Sequence, residues 1–177
     1  RSVYATDLDG DGDADVLSAS AFDERIVWYE NRLDQSANDF SSGTDITSSA
    51  DSASSVYATD LDGDGDADVL SASANDDRIV WYENRLDQSA NDFSSGTDIT
   101  SSADSASSVY ATDLDGDGDA DVLSASQGSQ GDDRIEWYEN NGTGGFTSGT
   151  DITTSADSPR SVYATDLDGD GDADVLS

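Results

Sequence analysis

Four copies of the string DLDGDGDAD open at Asp7, Asp60, Asp113 and Asp166. Counted from the first aspartate, carboxylates fall at positions 1, 3 and 5, glycine at 6, a main-chain carbonyl at 7 and a further carboxylate at 9. Alternate residues of a tight loop aim their oxygens to one side, where a hard cation that takes about six to eight oxygen ligands can collect them. The glycines permit backbone turns that a side chain would obstruct. The candidate ligands are Asp7, Asp9, Asp11, Asp13 and Asp15 in the first copy, and Asp60, Asp62, Asp64, Asp66 and Asp68 in the second. In the third they are Asp113, Asp115, Asp117, Asp119 and Asp121, and in the fourth Asp166, Asp168, Asp170, Asp172 and Asp174.

The spacing is that of the start of an EF-hand calcium loop, with two departures. Position 12 is Ser18 where the EF-hand has a bidentate glutamate, and strand-type sequence flanks the loop where helices should be. The expectation is a β-hairpin calcium loop in which Asp15 and its equivalents replace the distal glutamate, one Ca2+ per repeat and four in all. Magnesium fits less well, because it prefers an octahedral site with retained water. A merely solvated acidic turn is the bland alternative, and fourfold recurrence of the ordered pattern argues against it. Five aspartates in nine residues repel one another without a cation, so the ion is expected to be a folding requirement as well as a ligand.

The elements that must hold these loops follow from an internal repeat. Tyr4, Tyr57, Tyr110 and Tyr163 recur every 53 residues, as do Gly43, Gly96 and Gly149. The third copy gains three residues before Trp137 and loses three after it, so repeat length is constrained while loops exchange residues. Residues 160–177 repeat 1–18 without a change. The division is thus 1–53, 54–106, 107–159 and a partial repeat at 160–177, and the periodic sequence is expected to continue past both ends. Runs rich in β-branched and aromatic residues between Gly, Asp and Ser punctuation predict four strands per repeat: Ser2 to Thr6, Asp15 to Ser20, Arg25 to Glu30, and a weaker one at Thr44 to Thr47. The run Ile26, Val27, Trp28, Tyr29 is apolar on both faces, as befits a strand between two sheets. Leu33 to Asp39 and Ser48 to Ser55 read as loops. The fold class is all-β, with β-propeller blades of four antiparallel strands, three complete and a fourth in part. Fourteen strands cannot close a ring alone. Further blades of the same chain, neighbouring copies or linear stacking must cover the open faces.

On these residues the chain resembles the FG-GAP/VCBS repeats, the β-propeller repeats of integrin α-subunit heads and of many secreted bacterial proteins. The resemblance runs through SVYATD, DLDGDGDAD, DVLSAS, DRIEWYENNGTGGF and SGTDI. It implies that the acidic loop between the first two strands of a blade binds calcium through Asp7, Asp9, Asp11, the Asp13 carbonyl and Asp15, and through their later equivalents. Phe146 with Gly149 resembles the Phe-Gly element, although Thr147 and Ser148 intervene and the earlier copies read FSSG. The resemblance further implies an extracellular scaffold, secreted or at the cell surface, that binds a protein or glycan ligand through loops on one face.

Composition closes most other routes. The chain has no Cys, His or Met, and its seven basic residues are all Arg, so thiolate chemistry, disulfides and histidine bases are absent. A formal charge of -33 repels nucleic-acid phosphates and anionic lipid headgroups, so nucleic acid and membrane surfaces are not expected partners. No apolar run approaches the roughly 20 residues of a spanning helix, so no membrane insertion is expected. The lack of Met and of a leader is taken to mark a piece of something longer.

Trp28, Trp81 and Trp137 sit in the most apolar strand and are expected to pack blades rather than stack on sugars. Arg25, Arg78 and Arg134 are expected to pair locally with Asp23, Asp77 and Asp133. Asn141 heads the NGT sequon, a candidate N-glycosylation site in an exposed turn. Catalytic carboxylate pairs would have to come from Glu30 with Glu24 or Glu136 with Glu139, and the irregular stretches Gln127 to Gly131 and Asn140 to Gly145 lack catalytic residue types. The expected function is therefore non-catalytic: an extracellular calcium-binding module for adhesion or ligand binding. The alternative is a structural repeat protein that assembles into a fibre or stalk.

Overall fold

A computed structural model describes residues 2–34, 38–88, 92–128 and 132–177. Residues 35–37 of the expected loop Leu33 to Asp39, and residues 129–131 of the stretch Gln127 to Gly131, fall outside it. The described residues form strands, turns and loops and no helix.

The first repeat holds β1 (Ser2–Thr6), β2 (Asp15–Ser20), β3 (Arg25–Tyr29), β4 (Asn31–Arg32), β5 (Asp39–Phe40) and β6 (Thr44–Thr47). The second holds β7 (Ala53–Thr59), β8 (Asp68–Ser73), β9 (Arg78–Tyr82), β10 (Asn84–Arg85), β11 (Asp92–Phe93) and β12 (Thr97–Thr100). β13 (Ala106–Thr112), β14 (Asp121–Ser126), β15 (Arg134–Tyr138) and β16 (Thr150–Thr153) form the third, and β17 (Tyr163–Thr165) with β18 (Asp174–Leu176) a final hairpin. Each whole repeat is a four-stranded antiparallel sheet, in the orders β1-β2-β3-β6, β7-β8-β9-β12 and β13-β14-β15-β16. All fourteen expected strands are present. The two-stranded ribbons β4-β5 and β10-β11 were not foreseen, and Ala53 to Ser55, expected in a loop, already belong to β7.

The core lies between sheets. Leu17, Ala19 and Ile26 of the first sheet pack on Val56, Val69 and Val80 of the second. Leu70, Ile79 and Trp81 on the other side of the second sheet pack on Val109, Val122 and Tyr138 of the third. Side chains alternate across a strand, so β8, covered on both sides, is buried at every residue, whereas β2 alternates between buried and half-buried. The outward face of the first sheet, with Val3 74% exposed, has no sheet against it among the described residues. No ring closes among the described residues, and the expected propeller is seen only as consecutive sheets packed face to face.

The first strands lie against one another. Tyr4, Tyr57, Tyr110 and Tyr163 stack with ring centroids 4.7, 4.9 and 4.7 Å apart, and the Ser55 hydroxyl accepts the Val109 N–H across the interface (3.3 Å). The fourth strand turns in at Gly43, where φ is +90° and an added Cβ would lie 2.8 Å from the Tyr29 ring. Gly96 meets the same double demand at φ +88°, and Gly149 meets the second half of it, with an added Cβ 2.8 Å from the Tyr138 ring.

Candidate metal centre

Each acidic loop joins the first two strands of a sheet, and its geometry is set by hydrogen bonds to its own aspartates. In the first loop Asp7 Oδ1 accepts the Gly10 N–H (2.8 Å) and Asp7 Oδ2 the Gly12 N–H (3.0 Å). Gly12 makes that turn at φ +96°, a region that costs residues with a side chain. Asp9 accepts from the Asp11 N–H (3.2 Å) and Asp11 from the Asp13 N–H (2.9 Å). Asp15 anchors the far end: Oδ2 accepts the Leu8 N–H (3.2 Å) and Oδ1 the Asn31 N–H (2.7 Å). The pattern repeats in the other loops, with Asp60, Asp113 and Asp166 holding Gly63, Gly116 and Gly169 at 2.8, 2.7 and 2.7 Å.

Of the five candidate ligands per loop, the fold gathers three. Carboxylate oxygens of Asp7, Asp9 and Asp15 lie within 4.8 Å of one another, as do those of Asp60, Asp62 and Asp68, of Asp113, Asp115 and Asp121, and of Asp166, Asp168 and Asp174. Calcium, bonded at about 2.3–2.6 Å, spans such a set, and the donors are all hard oxygens, so the residues fit the ion. Asp11, Asp64, Asp117 and Asp170 are not in these groups, and neither are the carboxylates of Asp13, Asp66, Asp119 and Asp172. The Asp13 carboxyl is instead raised in pKa chiefly by the charge of Asp34, and that of Asp66 by burial and then by Asp87.

Burial sets the electrostatics. It pushes Asp9 up to about 6, with the charge of Asp15 adding to it. It pushes Asp68 up to about 7, against the lowering effect of the Asn84 and Leu61 N–H groups. The Trp81 indole also lowers Asp68, although its N–H is buried without a properly formed hydrogen bond. Asp62 and Asp121 are raised for the same first reason, burial. A cation offsets this desolvation by restoring a favourable field for the ionised form.

The remaining candidates are dispersed. Glu24 lies before β3 and Glu30 after it, a separation of roughly 20 Å at strand rise. Glu136 and Glu139 are about 10 Å apart along one strand direction and fall on opposite faces, and Glu136 is bridged to Arg134. Arg25, Arg78 and Arg134 do not pair with Asp23, Asp77 and Asp133. They reach across the sheet to Asp45, Asp98 and Asp151 on the fourth strand, because adjacent antiparallel strands bring those side chains together. Asp77 and Asp133 instead accept the Ser105 and Ser158 N–H groups (2.8 Å each). Asn141 is exposed, and its side-chain oxygen accepts from Thr143 and Gly145 within its own turn.

The FG-GAP-like repeat family matches three overlapping stretches, residues 7–71, 60–124 and 113–177, each opening on the first aspartate of an acidic loop. The chain belongs to this family. No curated protein matches it significantly. Among solved structures it is similar to a lectin of Agrocybe aegerita, described as showing the specific recognition of non-reducing terminal N-acetylglucosamine. The TM-score is 0.55 at 21% identity, over 86% of this chain and 38% of that one. The likeness at that identity concerns the fold.

The degenerate Phe-Gly element of these FG-GAP-like repeats has a packing role. Phe93 meets the preceding repeat's Trp28 edge-on at 6.2 Å, and Phe146 meets Trp81 at 6.4 Å. Beside the first of these contacts is a cavity of about 800 Å3, lined in part by Asp9, Asp11, Trp28, Glu30, Leu86 and Phe93. At the next interface Gly144 presses on the equivalent Trp81, where an added Cβ would collide with the ring. The sequence reading overlooked Asn31, Asn84 and Asn140, the residue after Trp-Tyr-Glu in every repeat. Their recurrence was the available signal.

Proposed function

We propose that this chain is an extracellular, calcium-loaded FG-GAP-like binding module without catalytic activity, in which one ion per acidic loop fixes the hairpin that opens each sheet. The observation that carries the reading is the fourfold gathering of carboxylate oxygens within 4.8 Å in a chain of charge -33. Dissociation constants of about 0.1–1 mM are expected, the range of extracellular calcium modules. The cavity beside Asp9 and Trp28, with apolar walls and carboxylates that can accept hydroxyl hydrogen bonds, is the place for a glycan or protein ligand. The lectin's sugar recognition supports the glycan as its class.

Calorimetric titration with calcium, paired with thermal melting in chelator, tests the metal reading. Four bound ions and a melting temperature lowered by chelator are expected. Identical melting curves in calcium and in chelator sink it. A second reading, assembly into a fibre or stalk, draws on the uncovered first sheet: the exposed Val3 and half-buried Val16 correspond to Val56 and Val69, which the preceding sheet buries. Concentration-independent monomers in sedimentation would dispose of it.

A further inference from the structure

The buried asparagines after β9 and in the corresponding place of the third repeat join one acidic loop to the next. Asn84, 1% exposed, donates its main-chain N–H to Asp68 Oδ1 (2.7 Å) in its own repeat. Its side-chain Nδ2 donates to the Ala67 carbonyl (3.0 Å) and, across the sheet interface, to the carbonyl of Leu8 (2.7 Å). Its Oδ1 accepts the Leu86 N–H (3.0 Å), so both donors and the acceptor oxygen of its amide have partners within the protein. Asn140 repeats this with Asp121 Oδ1 (2.8 Å), Ala120 (2.9 Å) and the carbonyl of Leu61 (2.8 Å).

Leu8 and Leu61 are not bystanders. Leu8 is the residue between Asp7 and Asp9, and Leu61 the residue between Asp60 and Asp62. Their N–H groups are held by Asp15 and Asp68, the distal carboxylates of the same clusters. A continuous buried line therefore runs from Asp15 through Leu8 and Asn84 to Asp68, then through Leu61 and Asn140 to Asp121. Any shift of Asp7 and Asp9 towards an ion moves the peptide between them, and with it the hydrogen bond to Asn84. Buried networks of this kind transmit such shifts because an unmade bond there is costly.

We infer that Asn84 and Asn140 are positioning residues that couple ion binding at the first three acidic loops, an inference that rests on the calcium reading. Occupation of one loop sets the peptide that its neighbour needs, and by linkage the effect is reciprocal. The fourth loop has no such bridge among the described residues, and it serves as an internal control.

The test is a calcium titration of the whole chain by NMR, with the Gly12, Gly65, Gly118 and Gly171 amides reporting one loop each. The first three loops are expected to titrate together and steeply, the fourth separately. Asn84→Ala keeps the main-chain N–H on Asp68 and removes the bridge to Leu8 together with the two side-chain bonds inside its own repeat, to Ala67 and from Leu86. It is expected to detach the first loop and raise its midpoint about five- to tenfold, a typical coupling, while the second and third loops stay coupled and the fourth is unmoved. Should that variant not fold, Asp60→Asn in the otherwise unaltered chain answers the same question. It should empty the second loop and raise the midpoints of the first and third, not the fourth. Unchanged midpoints at the first and third loops in Asp60→Asn, or an unchanged first loop in folded Asn84→Ala, overturn the coupling and leave the metal reading intact. No response of any loop up to about 10 mM calcium, beyond the weakest modules, overturns both.

Discussion

The second and fourth acidic loops are the same nine residues in different surroundings. Leu61 is 1% exposed and Leu167 is 61% exposed, and Asp68 is fully buried while Asp174 is only half-buried. Both Asp68 and Asp174 accept the N–H of the leucine in their own loop, at 3.1 and 3.0 Å. What differs is the neighbours: the second loop packs against the third sheet and is held by Asn140, whereas no sheet packs beyond the fourth among the described residues. The local hydrogen-bond pattern thus belongs to the loop sequence, and burial belongs to the stack.

The sharpest way to break this comparison is to shorten the two leucines. Leu61→Ala removes a fully buried side chain and is expected to cost about 3 kcal/mol. Leu167→Ala should cost a few tenths, as exposed substitutions do. Equal losses in urea unfolding would mean that stacking does not distinguish the loops. Next in size is Asp68→Ala, which strands the Leu61 and Asn84 N–H groups in the interior and is expected to cost about 2 kcal/mol in chelator. Relief of carboxylate crowding offsets part of that loss, so the cost should grow in calcium. Asp174→Ala, with one partner in an exposed setting, should fall below about 1 kcal/mol by the same measurement.

The same division between local and stacked explains what was legible in the sequence. The acidic loops and the fourteen main strands could be read because their signals are local: carboxylate spacing, and β-branched runs bounded by glycine and aspartate. Ala53 to Ser55 carry no β-type signal. They join β7 beside the next sheet, where the Ser54 hydroxyl donates to the carbonyl of Ala106 (2.7 Å). Asn31 and Arg32 are likewise weak strand formers, and their ribbon is fixed by Arg32 meeting Asp39 (2.7 Å) and by the Ser41 hydroxyl accepting the Glu30 N–H (2.9 Å). The partners of Arg25 and the reach of Asn84 to Leu8 depend on register and on stacking, which no local window contains. Of the candidate site, the first, third and ninth positions came together as a cluster. The fifth carboxylate lies outside that cluster, because spacing alone does not say which way each side chain leaves the turn, and the seventh position was expected to contribute its main-chain carbonyl rather than its carboxylate.

A last expected effect is on the pH dependence of the ion-free chain, and it follows from the second loop. Burial raises Asp68 to about 7 in the fold, far above the ordinary carboxylate value of about 3.9 that it regains on unfolding. A carboxyl so raised binds its proton more tightly in the native state, so its contribution is fully present below about pH 4 and is lost as pH rises through about 7. In chelator, stability measured by urea unfolding should therefore increase from pH 7 towards pH 5. Asp68→Ala should flatten that slope. Calcium should reverse it, because an ion that requires the ionised carboxylate competes with the proton and binds more weakly as the solution is acidified. A slope that is the same in wild type and Asp68→Ala would show that the buried carboxylate of the second loop is not what distinguishes it from the fourth.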